Sequence, residues 1–318
     1  MLEVLQLLIG TVVLRPYVFA FLAVYCIAAS AHLGWRGAAV HIPLGYGIAW
    51  LSEYSSIHWG FPYGDYFYIQ DTVGRELWVL GVPFMDSLSY VFLSYCSFAM
   101  AIFLLSPVRF TSKSALVLET RSLRRSWQVL VLGAFLFVLL DIIIDPVALQ
   151  GYRWFLGQIY GYRQAGLYFG IPMSNFGGWL LVGFAMVGTL QSLDRIPALE
   201  PRQYSLFGRV PGIALLGPVL YVSVLVFNLT ITFRIGEDLL GLVGCLILFF
   251  PSLLAFFFTL HKQAHLTPGQ IHCHLRDFPR SAAALSLALT PSDTTFDPDS
   301  VQILRGKAQK IAENPGQP

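Results

Sequence analysis

The sequence predicts an all-α fold, a polytopic membrane helix bundle of seven or eight spans with one re-entrant or tight aromatic loop. Three observations predict it. Of 318 residues, 56% are hydrophobic and 12% are charged, with a mean hydropathy of +0.64, whereas a soluble chain averages about 25% charged residues. The apolar residues gather into runs close to the roughly 20 that a membrane helix needs. The longer links between the runs carry Gly-apolar-Pro triplets, aromatic residues or arginines.

The runs fall at 17–33, 38–52, 83–105, 127–144, 172–190, 210–232 and 239–260, the second of them short. The segment 2–14 is apolar but lacks a basic n-region and a clear small-residue cleavage site. It reads as an interfacial or short membrane helix, not a cleaved signal. Two regions follow: an integral membrane domain over 1–262, and a polar tail over 263–318 that is expected to be cytoplasmic and partly disordered. The expected location is the cytoplasmic (inner) membrane, crossed many times, with membrane lipids around the bundle.

Basic residues orient the spans. The link 109–126 carries Arg109, Lys113, Arg121, Arg124 and Arg125 against one acid, Glu119, and the link 191–209 carries Arg195, Arg202 and Arg209. The positive-inside rule puts both on the cytoplasmic side. Alternation then gathers the links 53–76 and 145–171 at the opposite end. There the aromatic segment, the Asp145-Pro146 corner and the starts of the Pro83 and Pro172 helices are expected to meet.

Proline fixes φ and suits the first turn of a helix. Pro83 and Pro172 each close a Gly-apolar-Pro triplet ahead of an apolar run, so both read as helix starts. The triplet Gly60-Phe61-Pro62 differs, because Gly64 follows and no long apolar run comes after it. It reads as a tight corner, and irregular backbone at membrane depth survives only when buried in protein or lining a cavity.

Acids within apolar runs cost roughly 2.5–3.5 kcal/mol each on insertion scales. Glu53 ends its run and is taken as functional. Asp86, three residues into the Pro83 helix, either complements the helix dipole or joins a site. Asp141 and Asp145 share one helix face, four residues apart, with Arg153 or Arg163 as available partners. The aromatics Trp59, Phe61, Tyr63, Tyr66, Phe67 and Tyr68 fit an interfacial belt when taken singly. A belt does not require Gly60, Pro62 and Gly64 at fixed spacing, and that rigidity fits a shaped cavity wall.

Other chemistries lack their residues. Cys26, Cys96, Cys245 and Cys273 are scattered with no CxxC pair, which gives neither a disulfide framework nor a thiolate metal site. HKQAH at 261–265 and HCH at 272–274 are not accompanied by an HxxHH box, so no metal is expected. There is no GxSxG, no GxxxxGK[ST] and no GxGxxG after a strand, so no nucleotide or nicotinamide cofactor is expected. The net charge of +2 and the lack of a basic run leave no nucleic-acid partner.

Glu53, G-F-P-Y-G-D-Y-F-Y from Gly60, G-V-P at 81–83, Asp145-Pro146, and Y-F-G-I-P-M-S-N-F-G-G-W from Tyr168 to Trp179 together resemble the carotenoid biosynthesis protein family. Its best-characterised members are carotenoid hydratases. The matching stretch runs from about 53 to 179, with looser hydropathic agreement to about 260. The resemblance implies addition of water across the terminal double bond of an acyclic ψ end-group, without a cofactor, on a carotenoid or other isoprenoid lipid.

The residues permit such chemistry. A carboxylic acid in an apolar pocket can keep its proton and protonate an alkene, and aromatic faces stabilise the resulting cation by about 2 kcal/mol when desolvated. Glu53 or Asp145 is expected to be the acid, with the other placing water beside Asn175 or Tyr168. Asp141 and Asp86 are second choices, and Trp59, Phe61, Tyr63, Tyr66, Tyr68 and Trp179 are expected to bind substrate. An isoprenoid isomerase or cyclase would use the same groups without capturing water. A non-catalytic lipid or carotenoid binder, or a transporter, would also bury such a surface.

Overall fold

The computed structural model describes residues 2–111, 115–199, 210, 212–279 and 281–289. Lys113, Arg202, Arg209 and the tail from 290 onward lie outside the described residues. The helices, in order, are α1 Leu2–Leu14, α2 Pro16–Leu33, α3 Trp35–Trp59, α4 Phe84–Leu105, α5 Arg121–Arg124, α6 Trp127–Leu149, α7 Met173–Leu193, α8 Leu216–Arg234, α9 Asp238–Ala264, α10 Pro268–Asp277 and α11 Ala282–Leu289. The short strands are β1 Tyr66–Tyr68, β2 Trp78–Val79, β3 Val82–Pro83, β4 Val108–Phe110, β5 Ala115–Val117 and β6 Tyr160–Tyr162. They form three two-stranded pairs, β1–β6, β2–β3 and β4–β5.

The fold is the expected all-α bundle. Among the described residues, six helices, α2, α4, α6, α7, α8 and α9, are long and apolar enough to cross a membrane. The long α3 is more polar, since it carries Arg36, His41, Ser52, Glu53 and His58. At the centre stands α4, packed against α2, α3, α6, α7 and α8. Its small residues permit that closeness, and the hydroxyls of Ser94 and Ser97 bond back to the carbonyls of Val91 and Leu93, so they need no partner on another helix. The outermost spanning helix, α9, leaves most of its apolar surface exposed.

Two helices run further than their apolar stretches. The α3 helix continues to Trp59 and α6 continues through Pro146 to Leu149. Glu53 therefore lies within α3, not at its end, and Asp145-Pro146 is no corner. Proline costs a helix one hydrogen bond, and neighbouring helices tolerate this at membrane depth. Pro83 and Pro172 do mark helix starts, each one residue ahead of its helix.

The end of α3 forms the tight corner. Gly60 adopts φ +69 and its N–H bonds to the Ser56 carbonyl at 2.8 Å, a left-handed C-cap that glycine provides without strain. The Phe61–Pro62 peptide is cis, and Gly64 follows at φ +102. Tyr63 N–H then bonds to Ser56 Oγ at 3.0 Å. Beyond this corner β1 pairs antiparallel with β6, with Tyr66 opposite Tyr162 and Tyr68 opposite Tyr160. The links 53–76 and 145–171 thus meet at one end of the bundle.

The arginine-bearing end is closed by the β4–β5 hairpin, α5, α10 and α11. Arg124 is buried there, bonding Glu119 through two nitrogens at 2.7 and 2.8 Å and Asp194 at 3.1 Å. Burial alone would raise the Glu119 carboxyl, but Arg124 and His32 beside it hold it well below the usual carboxylate range. From the polar tail, His274 is buried with its Nδ1 on the Glu119 carbonyl at 2.7 Å. His261 and His265 are exposed at the end of α9.

The aromatic corner is seated on α7 through Gly178, where a Cβ would lie 2.6 Å from both the Pro62 carbonyl oxygen and the Tyr63 ring. Gly178→Ala is expected to destabilise the protein by about 1–3 kcal/mol, read as a lower thermal midpoint in detergent. Gly177→Ala, with nothing within 4 Å, should leave the midpoint unchanged or slightly raised. Equal midpoints for the two variants would contradict this seating.

Candidate active site

Beneath the paired strands lies a cavity of about 130 Å3. One water needs about 10–15 Å3 on the same measure, so the space is large enough for a small organic group or several waters. Four carboxyl groups line it: Glu53 from α3, Asp86 from α4, and Asp141 and Asp145 from α6. Tyr63, Tyr66, Tyr68, Asn175 and Trp179 line it as well. No lysine, arginine or histidine is among the described lining residues.

The local folds explain this convergence. Residues four apart share a helix face, which points Asp141 and Asp145 the same way from α6. In strands, alternate residues share a face, so Tyr66 and Tyr68 of β1 stand beside Tyr160 and Tyr162 of β6. Their rings meet edge to face, with centroids 6.1 Å apart for Tyr66–Tyr160 and 6.2 Å for Tyr66–Tyr162. The four phenols roof the cavity.

The roof delivers hydrogen bonds downward. Tyr160 and Tyr162 both donate to Asp145, the latter at 2.7 Å, and Tyr68 donates to Asp86 at 2.7 Å. Burial, reinforced by the nearby acids, pushes all four phenols above the ordinary tyrosine range, so each remains a donor. From α7, Asn175 Nδ2 bridges Asp141 at 2.9 Å and Asp145 at 3.1 Å. Glu53 accepts from Ser87 Oγ at 3.0 Å.

Arg153 and Arg163 do not pair with Asp141 and Asp145, contrary to the sequence expectation. Arg153 pairs with Glu237, and Arg163 with Asp65 at 3.0 Å. Sequence proximity favoured the arginines, but the neutral donors of β6 and α7 reach the aspartates first.

Three expected substrate-binding residues stand outside the cavity. Trp59 and Phe61 are 73% and 62% exposed, and Tyr168 donates its hydroxyl to the Ile142 carbonyl at 3.2 Å. Gly64 makes room for Ser174, whose Oγ would lie 2.6 Å from a Cβ there. Tyr17, Phe21, Tyr90, Trp154, Tyr160, Tyr162 and Phe227 also line the cavity and were missed. Tyr90 stacks on Trp179 at 4.7 Å, with Phe137 on the indole at the same distance. Tyr160-Gly161-Tyr162 was detectable, since it repeats the alternation of Tyr66-Phe67-Tyr68. The residues on spanning helices carried no signal that separated them from core aromatics.

Among the described residues, no group of three or more His, Cys, Asp or Glu side chains is placed to hold a metal ion. No curated protein and no solved structure matches the chain. A family model described as carotenoid biosynthesis protein matches residues 3–251, a span that contains every residue lining the cavity. By that match the chain belongs to the carotenoid biosynthesis protein family, and its role lies in carotenoid biosynthesis.

Proposed function

We propose that the protein is a carotenoid hydratase, adding water to the terminal double bond of an acyclic end-group. The observation that carries this reading is the set of four carboxyl groups around one small aromatic cavity with no cationic side chain among its described lining residues. Proton-transfer chemistry on an uncharged, apolar substrate needs acids and π faces in a space closed to bulk water.

Glu53, bonded to Ser87, is the proton donor. Its proton goes to the secondary alkene carbon, and the π electrons form the new C–H bond, leaving a tertiary cation on the neighbouring carbon. The stacked Tyr90 and Trp179 faces stabilise that charge. Asp145, held by Tyr160, Tyr162 and Asn175, orients the water. Water's oxygen bonds to the cationic carbon and its surplus proton passes to Asp145. Alkene plus water gives a tertiary alcohol, and proton return through water resets the pair. Asp141 shares Asn175 with Asp145 and fixes that amide. Asp86 holds Tyr68 in the roof.

General acid–base groups contribute about 10²–10⁴-fold. Glu53→Gln and Asp145→Asn are each expected to cut hydrated product at least about a hundredfold in cells that accumulate an acyclic carotenoid. Both variants should still reach the membrane, and Glu53→Gln should keep its thermal midpoint. Wild-type product from either would remove that residue from the mechanism.

Trp179→Leu removes a π face worth about 2 kcal/mol, which converts to a rate loss of about 30-fold. Trp59→Leu, outside the cavity, should leave the rate unchanged. The opposite pattern, measured as initial rates in isolated membranes, would contradict cation stabilisation at the Tyr90–Trp179 stack.

A further inference from the structure

The cavity has two unlike sides. Its carboxyl groups all stand on α3, α4 and α6, whereas α2, α8 and the 154–159 link contribute Tyr17, Val18, Phe21, Val224, Phe227 and Trp154 among others, none of them charged. On α2 the residues at 17, 18 and 21 share one face, as do those at 224, 227 and 228 on α8. The two faces meet in an aromatic seam. Tyr17 stacks on Phe227 at 5.5 Å with 18° between planes, and Phe21 meets Phe227 edge-on at 5.7 Å.

The seam runs from the cavity to the exterior. Trp154 and Phe155 flank Tyr17, with the Tyr17–Phe155 centroids 5.7 Å apart, and Phe155 is 57% exposed. The outer face of α8 beside it is apolar and exposed at Val219, Val222 and Val226, as a lipid-facing surface requires. A cavity of about 130 Å3 accepts the end of a long isoprenoid and excludes the rest, so the remainder of the chain must leave through a wall. The acidic walls and the hydrogen-bonded tyrosine roof oppose passage of a hydrocarbon, because it would strip donors from buried carboxyl groups. In the seam the rings of Tyr17, Phe21 and Phe227 meet through aromatic contacts, and the indole N–H of Trp154 donates to the Val147 carbonyl, not to a carboxyl group.

We propose that the seam between α2 and α8 is a lateral binding groove for the stem of a polyisoprenoid chain, with Tyr17, Phe227, Trp154 and Phe155 as its lining. Phe227 swings from its stack on Tyr17, the chain lies between the rings, and its end reaches Glu53 while its far part stays among the lipids. The proposal rests on the hydratase reading for its substrate class, but its geometry is tested by binding alone.

The test uses the full-length protein in lipid–detergent micelles and an acyclic polyisoprenoid bearing a mid-chain diazirine. After irradiation, proteolysis and mass spectrometry locate the label. Label is expected on Tyr17, Trp154, Phe155 or Phe227, and an about tenfold excess of unlabelled chain should lower it about tenfold by competition at one site. The same peptides should be labelled in Glu53→Gln, which keeps binding while losing turnover. Label confined to α9 or to the α3 and α7 surfaces, or label that unlabelled chain does not displace, overturns the groove. Hydration with the label elsewhere sinks the groove and leaves the hydratase. Displaceable label in the seam without any hydrated product does the reverse.

Discussion

Burying carboxyl groups in an apolar bundle demands compensation, either from cations or from a full set of hydrogen-bond donors. Here the described cavity lining supplies neutral donors only. Tyr160 and Tyr162 serve Asp145, Tyr68 serves Asp86, Asn175 joins Asp141 to Asp145, and Ser87 serves Glu53. Much of the loop architecture at this end follows from that demand. The phenols reach the acids because β1 and β6 pair in one register. A one-residue slip would turn every tyrosine away from the cavity. The pairing depends in turn on the Gly60–Gly64 corner and on the glycine of α7 that lets it approach.

A neutral donor set has a chemical consequence. An arginine beside each acid would fix it as an anion, useful for a structural ion pair but useless for giving a proton to an alkene. Phenols and an amide hold the oxygens in place without supplying a full positive charge. The other end of the bundle shows the contrast, where Arg124 between Glu119 and Asp194 makes a lock. One chain thus uses arginine where acids stay paired and, on the proposed mechanism, tyrosine where a proton moves.

Much of this was legible in the sequence. Counting arginines placed the links 53–76 and 145–171 at one end, and β1 does pair with β6. Acids in apolar runs singled out Glu53, Asp86, Asp141 and Asp145, and one cavity gathers all four. Helix length was less legible, because Asp145-Pro146 read as a corner while α6 passes through it to Leu149. Partner choice was not legible at all. Arg153 lies a few residues past Asp145 yet pairs with Glu237, since a loop's direction is set by tertiary packing that spacing does not encode. Tyr17, Phe21 and Phe227 were hidden because an aromatic in a spanning helix looks the same whether it faces a cavity, a neighbour or lipid.

On the proposed mechanism the hydroxyl oxygen of the product comes from water. This is tested most directly by expressing the protein in a host that accumulates an acyclic carotenoid, growing the cells in oxygen-18 water, and comparing pigment extracts by mass spectrometry. The expected result is a carotenoid heavier by one water, with its hydroxyl oxygen labelled from the solvent. An unchanged pigment pool from protein that is folded in the membrane, or a hydroxylated product without solvent label, would contradict the account.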